Sequence, residues 1–265
     1  MKRIISAIVF LPAFFLIIQY GSPAVFFVFL SAILLAALFE FYTLLIQNGQ
    51  KCMIYAGMIL GWFIALAFFI NHNQLNPLSI VILLMGLFFI KLFSKQPVNF
   101  VVEEISNTLF GVLYVAFLLS YIIFIRKEEA GRQLIFMLFL IIWLGDTLAY
   151  YIGTSAGKHL LAPSISPNKS IEGAIGGLLG SIGGALLAHY WFYPSISIAN
   201  CTILGLVTGI AGQMGDLSES ILKRNLNVKD SGFLVPGHGG LLDRLDSVLF
   251  SAPVFYYIHL YLIKL

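Results

Sequence analysis

The fold class is decided by residues 23–46, which read PAVFFVFLSAILLAALFEFYTLLI and carry one charged side chain, Glu40. A helix needs roughly 20 consecutive apolar residues to cross the hydrocarbon core of a bilayer. This stretch meets that length without a break, so it predicts a transmembrane helix. The rest of the chain continues the pattern, since 60% of its 265 residues are hydrophobic and 10% are charged.

That composition excludes a soluble domain, because globular domains carry about 25% charged residues to keep their surface hydrated. The net charge is +3. The basic residues are spread along the chain without a contiguous basic stretch, so no nucleic-acid partner is expected. Their positions instead indicate how the chain is oriented in the membrane. The sequence therefore predicts an all-α polytopic membrane protein.

Nine stretches are long and apolar enough to span a bilayer, and polar or turn-forming residues separate them. The predicted spans are residues 4–20, 23–46, 54–71, 77–93, 107–125, 132–152, 172–192, 197–217 and 247–264. The first follows Met1-Lys2-Arg3 and is expected to be a retained span rather than a cleaved signal peptide.

Lys and Arg residues predict the orientation, because they are concentrated in cytoplasmic loops. With the N-terminus in the cytosol and nine crossings, 11 of the 15 Lys and Arg residues lie on the cytosolic side. The four on the outer side are Arg126, Lys127, Arg132 and Lys264. The sequence therefore predicts a cytosolic N-terminus.

Two loops are long and polar, at about residues 153–171 and about residues 218–246, and both are predicted on the cytosolic side. The other loops are short. We therefore expect an N-terminal membrane scaffold of about five spans over residues 1–130. Residues 131–265 are expected to form a catalytic membrane region of about four spans, with a polar cavity open to the cytosol.

An acidic residue, Asp146, follows the apolar run LFLIIWLG at residues 138–145. A charge inside a span is costly unless it faces a cavity or a partner. The placement of Asp146 inside a span therefore favours a functional role. The alternative is a structural hydrogen bond to a neighbouring helix.

A possible phosphate site follows at Ser166, Lys169 and Ser170, at the expected start of a helix. Backbone N–H groups and the positive end of the helix dipole favour phosphate there. Ser170 is also a suitable N-cap residue, and the two roles are compatible. Downstream, glycines recur four residues apart at 173/177, 176/180 and 180/184, a spacing that predicts close helix packing rather than ligand contact.

Charged residues share one helix face near residue 216. Asp216, Glu219, Ser220 and Lys223 follow an i, i+3, i+4, i+7 spacing at the predicted cytosolic end of a span. This arrangement differs from a solvated helix end, which would carry charges on all sides.

A second pair of carboxylates, Asp243 and Asp246, precedes the last span at an i, i+3 spacing. Carboxylates without a Cys or His cluster favour a hard cation such as Mg²⁺, which usually combines one or two carboxylates with substrate phosphates. The pattern indicates metal-dependent phosphate chemistry at the membrane face, and a purely structural ion-pair network is the alternative.

Residues 220–246, which read SILKRNLNVKDSGFLVPGHGGLLDRLD, resemble the signature of phosphatidate cytidylyltransferases, also called CDP-diacylglycerol synthases. The spacing is kept throughout, and Val235 is a small departure from the expected Leu, Ile or Phe. Three upstream segments are also similar to this family: WLGD at 143–146, SPNKSIEG at 166–173 and GDLSES at 215–220. The resemblance covers the C-terminal half, whereas the first five spans match only in length and hydrophobicity.

The resemblance implies transfer of CMP from CTP to phosphatidate, giving CDP-diacylglycerol and pyrophosphate for phospholipid biosynthesis. It also implies a homodimeric, multi-span enzyme of the cytoplasmic (inner) membrane with its active site on the cytosolic side. The implied cofactor is Mg²⁺, and a second cation, including a monovalent one, is compatible with the family.

The resemblance also assigns roles by motif position. Asp216, Asp243 and Asp246 are the implied metal ligands and, together with Lys223, the implied catalytic residues. The implied substrate-binding residues are Asp146, Lys169, Ser170, Ser220, Arg224, Lys229, His238 and Arg244.

Two other functions are compatible with parts of this pattern. A transporter also carries acids and glycine-rich helices in the membrane, but it predicts polar residues near the midplane of both halves. Spans one to five carry almost none apart from Glu40. A lipid kinase also uses a nucleotide at the membrane, and with CTP it would release CDP rather than pyrophosphate.

Overall fold

The computed structural model describes residues 12–70, 77–94, 98–232 and 239–263. The chain divides into two compact units. Unit 1 contains residues 1–127 and 230–243, and unit 2 contains residues 128–229 and 244–265. A segment from the C-terminal part of the sequence therefore belongs with the N-terminal helices.

The described part of unit 1 is mainly helical. Its helices are α1 (described over residues 12–20), α2 (Pro23–Gln47), α3 (Ile54–Ile70), α4 (Pro77–Leu92), α5 (Val101–Gly111) and α6 (Leu118–Lys127). A 3₁₀ turn at Val98–Phe100 precedes α5, and the π-helical segment Val112–Phe117 joins α5 to α6. Residues 98–127 therefore form one continuous helical stretch.

Tyr42 is the largest fully buried side chain of unit 1. Its hydroxyl donates a hydrogen bond to the Thr108 carbonyl oxygen at 2.8 Å. Gly57 and Gly111 lie against its ring, where a Cβ atom at either position would collide. The buried Lys91 ammonium pairs with the Glu104 carboxylate, which satisfies both charges in an apolar environment.

Unit 2 contains four helices and a hairpin. These are α7 (Gly131–Ala156), β1 (Leu160–Ala162), β2 (Ser166–Ser170), α8 (Ile171–Trp191), α9 (Ile198–Asn225) and the part of α10 (Leu242–Ile263) from Arg244 onward. A Cβ atom at Gly180 or Gly184 would come within 3.0 Å of the α7 backbone, at Leu144 or Leu140 respectively. The predicted packing role of these glycines is confirmed.

Within the described ranges, six helices are long and apolar enough to cross a membrane. They are Pro23–Gln47, Val98–Lys127, Gly131–Ala156, Ile171–Trp191, Ile198–Asn225 and Leu242–Leu262. This confirms a mostly helical, multi-pass membrane protein. The predicted spans 54–71 and 77–93 correspond to shorter apolar helices, and part of span 4–20 lies outside the described residues. The count of nine spans stays a prediction.

The predicted boundaries differ from the structure where charges lie at helix ends. Helix α9 continues beyond the end of the predicted span at 217 as far as Asn225, in agreement with the helical spacing of Asp216 and Lys223, and α10 begins at Leu242, before the predicted span starts at 247. Hydropathy marks the membrane core, whereas the helical backbone continues through polar residues that follow its periodicity. The antiparallel β1–β2 hairpin was not predicted. Its turn contains Pro163 and a hydrogen bond from the Ile165 N–H to the Ala162 carbonyl at 3.1 Å.

Candidate active site

A cavity of about 640 Å³ lies within unit 2. Helix α7 contributes one face to it, because Asp146, Tyr150 and Thr154 recur every four residues along the helix. Polar side chains from β2 and α9 also line it, namely Ser166, Asn168, Lys169, Ser170, Gln213 and Asp216, and the start of α8 contributes Gly173 and Ala174. An open cavity of this size, with several charged and polar side chains in a mainly apolar lining, is the candidate active site.

The central ion pair of the cavity joins the Lys169 Nζ to the Asp216 Oδ2 at 2.5 Å. Both side chains remain about one-third exposed, at 29% and 33%. Asp146 lies close enough to interact electrostatically with both of them. The structure therefore brings together three of the side chains selected from the sequence.

A third acid, Asp246 on α10, interacts electrostatically with Asp216, Asp146 and Lys223. Its Oδ1 also accepts a hydrogen bond from the Ser247 N–H at 2.6 Å. Three carboxylates thus share one electrostatic environment with two lysines. Such a grouping favours cations and, through the lysines, phosphate groups.

The N-terminus of α8 opens onto the cavity at Ser170, which is the helix cap. Its side-chain oxygen accepts a hydrogen bond from the Gly173 N–H at 3.1 Å. The capping role is therefore confirmed, and Ser170 also lines the cavity. Glu172 in the next turn accepts hydrogen bonds from the N–H groups of Lys158 and His159, at 3.1 Å and 3.2 Å. These contacts attach the start of the hairpin to α8.

The cations of α9 have protein partners. The Lys223 Nζ lies 3.1 Å from the Glu219 Oε2, and Glu219 is buried. The Arg224 Nε donates a hydrogen bond to the Ile165 carbonyl oxygen in the hairpin turn at 3.0 Å. On the α9 face predicted from the i, i+3, i+4, i+7 spacing, Asp216 thus pairs with Lys169 and Glu219 pairs with Lys223, whereas the neighbouring Arg224 contacts the hairpin turn.

Other predicted site residues lie outside this cavity. Ser220 is half-buried on α9, and Lys229 and Arg244 are exposed on unit 2. Asp243 belongs to unit 1, where its Oδ2 accepts hydrogen bonds from the N–H groups of Ser231 and Gly240, at 3.1 Å and 2.9 Å. His238 lies outside the described residues.

Sequence reasoning assigned no role to four polar residues of the cavity, Tyr150, Thr154, Asn168 and Gln213. Gln213 also joins two helices. Its Nε2 donates a hydrogen bond to the Ala174 carbonyl oxygen at 2.8 Å, which connects α9 to α8. An amide within an otherwise apolar span was the available signal, by the same argument that selected Asp146.

Across the described parts of the chain, no group of three or more His, Cys, Asp or Glu residues is arranged to hold a metal ion. A metal at this site would therefore need ligands from elsewhere. Mg²⁺ commonly binds one or two protein carboxylates and takes its remaining oxygens from substrate phosphates and water. The pair Asp216 and Asp246 fits that partial donor set.

Known proteins with similar sequences match both the N-terminal and the C-terminal half of the chain. Residues 1–262 match the model of the Cytidylyltransferase family. A phosphatidate cytidylyltransferase of Staphylococcus aureus is 36% identical, with 82% of this chain and 93% of the relative covered. The proteins of that name from Staphylococcus saprophyticus and Staphylococcus epidermidis are 35% and 37% identical, with the same coverage. These matches confirm the resemblance found in the C-terminal half and extend it to the N-terminal half.

Proposed function

Because the chain belongs to the cytidylyltransferase family, we propose that it transfers CMP from CTP to phosphatidate, giving CDP-diacylglycerol and pyrophosphate. The observation that carries this proposal is the cavity in which Lys169 pairs with Asp216 beside Asp146. It provides a cation for phosphate groups inside a unit built from apolar helices. Acyl chains are free to stay in lipid while the headgroup enters the cavity.

The reaction joins two anions. A phosphate oxygen of phosphatidate attacks the α-phosphorus of CTP, a new P–O bond forms, and the bond from that phosphorus to the bridging oxygen breaks as pyrophosphate leaves. The attacking phosphate is already ionised, so the protein needs no strong general base. Its tasks are alignment of the two substrates and neutralisation of their charge.

Lys169 is the best-placed phosphate ligand among the described residues, because it lines the cavity and lies beside the N-terminus of α8. An arriving triphosphate competes with Asp216 for the ammonium group. Lys223 and Arg224 are the additional phosphate contacts that the motif implies. Their present partners, Glu219 and the Ile165 carbonyl, hold them at the hairpin side of α9.

We assign Mg²⁺ to Asp216 and Asp246, with substrate phosphate oxygens completing its coordination. The bound ion would neutralise charge on the phosphates and polarise the reacting phosphoryl group. Asp243 is proposed as a third ligand from the motif alone. A second cation, monovalent or divalent, remains part of the proposal on the same basis.

The proposed setting is the cytoplasmic (inner) membrane, with nine spans, a cytosolic N-terminus and the cavity open to the cytosol, where CTP is available. The support for this orientation is the distribution of Lys and Arg along the chain. A homodimer is proposed from the family resemblance.

Product analysis tests the function. Protein reconstituted in phosphatidate-containing vesicles is given CTP and Mg²⁺, and the lipid and soluble products are separated. We expect equal amounts of CDP-diacylglycerol and pyrophosphate, and loss of both after chelation of Mg²⁺ with EDTA. Release of CDP with a phosphorylated lipid would instead identify a kinase. Absence of all turnover would contradict an enzyme and favour a transporter.

A further inference from the structure

Glu40, the acid within the first apolar stretch, is buried in α2 with 4% of its surface exposed. Its carboxylate accepts three hydrogen bonds from residues 230–243, the part of the signature that belongs to unit 1. The donors are the Ser231 hydroxyl at 2.6 Å, the Leu241 N–H at 2.9 Å and the Leu242 N–H at 3.1 Å. A buried carboxylate requires such partners, and here all three come from the segment that carries Asp243.

The contacts continue from Ser231 to Asp243. The Asp243 N–H donates a hydrogen bond to the Ser231 Oγ at 3.3 Å, and the Asp243 Oδ2 accepts one from the Ser231 N–H at 3.1 Å. The same Oδ2 accepts the Gly240 N–H at 2.9 Å. Glu40 thus holds Ser231, and Ser231 contacts both the backbone and the carboxylate of Asp243.

Close approach to Glu40 explains two glycines of the segment. A Cβ atom at Gly232 would lie 2.7 Å from the Glu40 Cδ, and one at Gly240 would collide with the Glu40 Oε1 and the Ser231 Oγ. The backbone at Gly232 and at Gly240 therefore packs directly on the carboxylate.

Glu40 also completes the start of α10. The first N–H groups of a helix have no partner within the helix, and a negative charge there is favoured by the helix dipole. The N–H groups of Leu241 and Leu242 are satisfied by a side chain from α2 rather than by a local cap residue. The position and orientation of the first turn of α10 therefore depend on Glu40.

We infer that Glu40 is a positioning residue for CMP transfer, which fixes Ser231 and the first turn of α10 and thereby orients the Asp243 carboxylate. This inference rests on the proposed function and on the role assigned to Asp243. It gives the N-terminal unit a part in the reaction beyond that of a membrane scaffold.

The test replaces Glu40 by Gln, which keeps the size of the side chain but exchanges one acceptor oxygen for an NH₂ donor. We expect kcat to fall about 10- to 100-fold, the range associated with a misplaced reacting group. The KM for CTP should stay nearly constant, since the proposed phosphate-binding lysine, Lys169, lies in unit 2. The matched control is Glu103→Gln, because Glu103 also accepts a backbone hydrogen bond, from the Lys51 N–H at 2.9 Å, outside this segment.

A double-mutant cycle with Ser231→Ala separates positioning from a general loss of stability. If Glu40 acts through Ser231, the two losses in kcat overlap and the double variant is little worse than the worse single variant. Losses that multiply, or a Glu40→Gln enzyme within about twofold of wild-type kcat, would overturn the inference.

Hydrogen exchange gives a readout that does not depend on turnover. Glu40→Gln should speed exchange in peptides covering residues 239–243, whereas Glu103→Gln should not. Unchanged exchange in Glu40→Gln would contradict the proposed anchoring. Failure of the wild-type protein to make CDP-diacylglycerol would overturn the proposed function and the catalytic consequence, and the exchange data would then decide the anchoring alone.

Discussion

Lys169 combines an ion pair with a position at the cavity wall, 2.5 Å from the Asp216 Oδ2. Replacing it by Met keeps much of its aliphatic volume and removes the charge. We expect kcat/KM for CTP to fall about 100-fold, as for the loss of one preorganised group that stabilises transition-state charge. The measurement is steady-state kinetics with radiolabelled CTP in phosphatidate vesicles.

Lys158→Met is the matched control for this substitution. Lys158 is exposed and does not line the cavity, although it lies in the same inter-helical segment. Its replacement should leave kcat/KM nearly unchanged. A Lys169→Met enzyme that retains more than half of the wild-type kcat/KM would remove Lys169 from the proposed phosphate site.

Single site residues were predictable where a charged side chain lies in or next to an apolar stretch of sequence. Asp146 and Asp216 are acids at the ends of apolar runs, and the structure places both on one cavity. The partners of Glu40 were not predictable in this way, because Ser231 lies 191 residues further along the chain. A local pattern indicates that a buried acid needs donors, but it does not say which segment provides them.

At the level of helices, the contact between α7 and α8 depends on glycine. A side chain at Gly184 would meet the Leu140 carbonyl oxygen at 2.7 Å and the Ile141 Cα at 2.9 Å. Gly184→Leu should therefore separate the two helices and destabilise unit 2 by about 3 kcal/mol, the upper part of the usual range for overpacking. Thermal unfolding in detergent measures the effect.

The neighbouring residue provides the control. A Cβ atom at Gly183 meets nothing within 4 Å, so Gly183→Leu introduces the same side chain on the same helix without a clash. It should be neutral or slightly stabilising, because Leu favours helix more than Gly does. Equal unfolding temperatures for the two variants would contradict the packing role of Gly184.

Most helices were predictable in approximate position, whereas their ends were not. Apolar runs locate the part of α9 within the membrane, but its last turns carry Glu219, Lys223 and Arg224 and read as a loop by hydropathy. The β1–β2 hairpin was missed for a different reason. Its strands are too short to show alternation, and contacts of Arg224 and Glu172 with the hairpin region help to hold it in place.

For the whole molecule, cysteine labelling can test the predicted orientation of the chain in the membrane. Three predicted crossings, through α7, α8 and α9, separate Glu129 from Asn225. With a cytosolic N-terminus, a cysteine at the exposed Asn225 should react with an impermeant maleimide only in inside-out vesicles, and one at the exposed Glu129 only in intact cells. The reverse pattern would overturn the orientation, and labelling of both from one side would contradict the odd number of crossings.

The native cysteines should contribute little background to this experiment. Burial raises the pKa of the Cys52 thiol to about 11, and the Glu104 carboxylate contributes to the rise. Maleimides react with the thiolate, so at pH 7 almost all of Cys52 is in the unreactive form, and reactivity increases only as the pH approaches that pKa. Cys201 is buried. Wild-type protein labelled at pH 7 measures the residual signal.

The return of residues 230–243 to unit 1 also has a consequence for biosynthesis. A ribosome that has inserted α2 into the membrane has not yet made the donors that satisfy Glu40. The carboxylate lacks these hydrogen-bond donors until residues 231–242 have been synthesised. The buried contacts of Glu40 in α2 are thus completed only after about 200 further residues have been synthesised, and a nascent chain that stops before Ser231 carries a membrane acid without these donors.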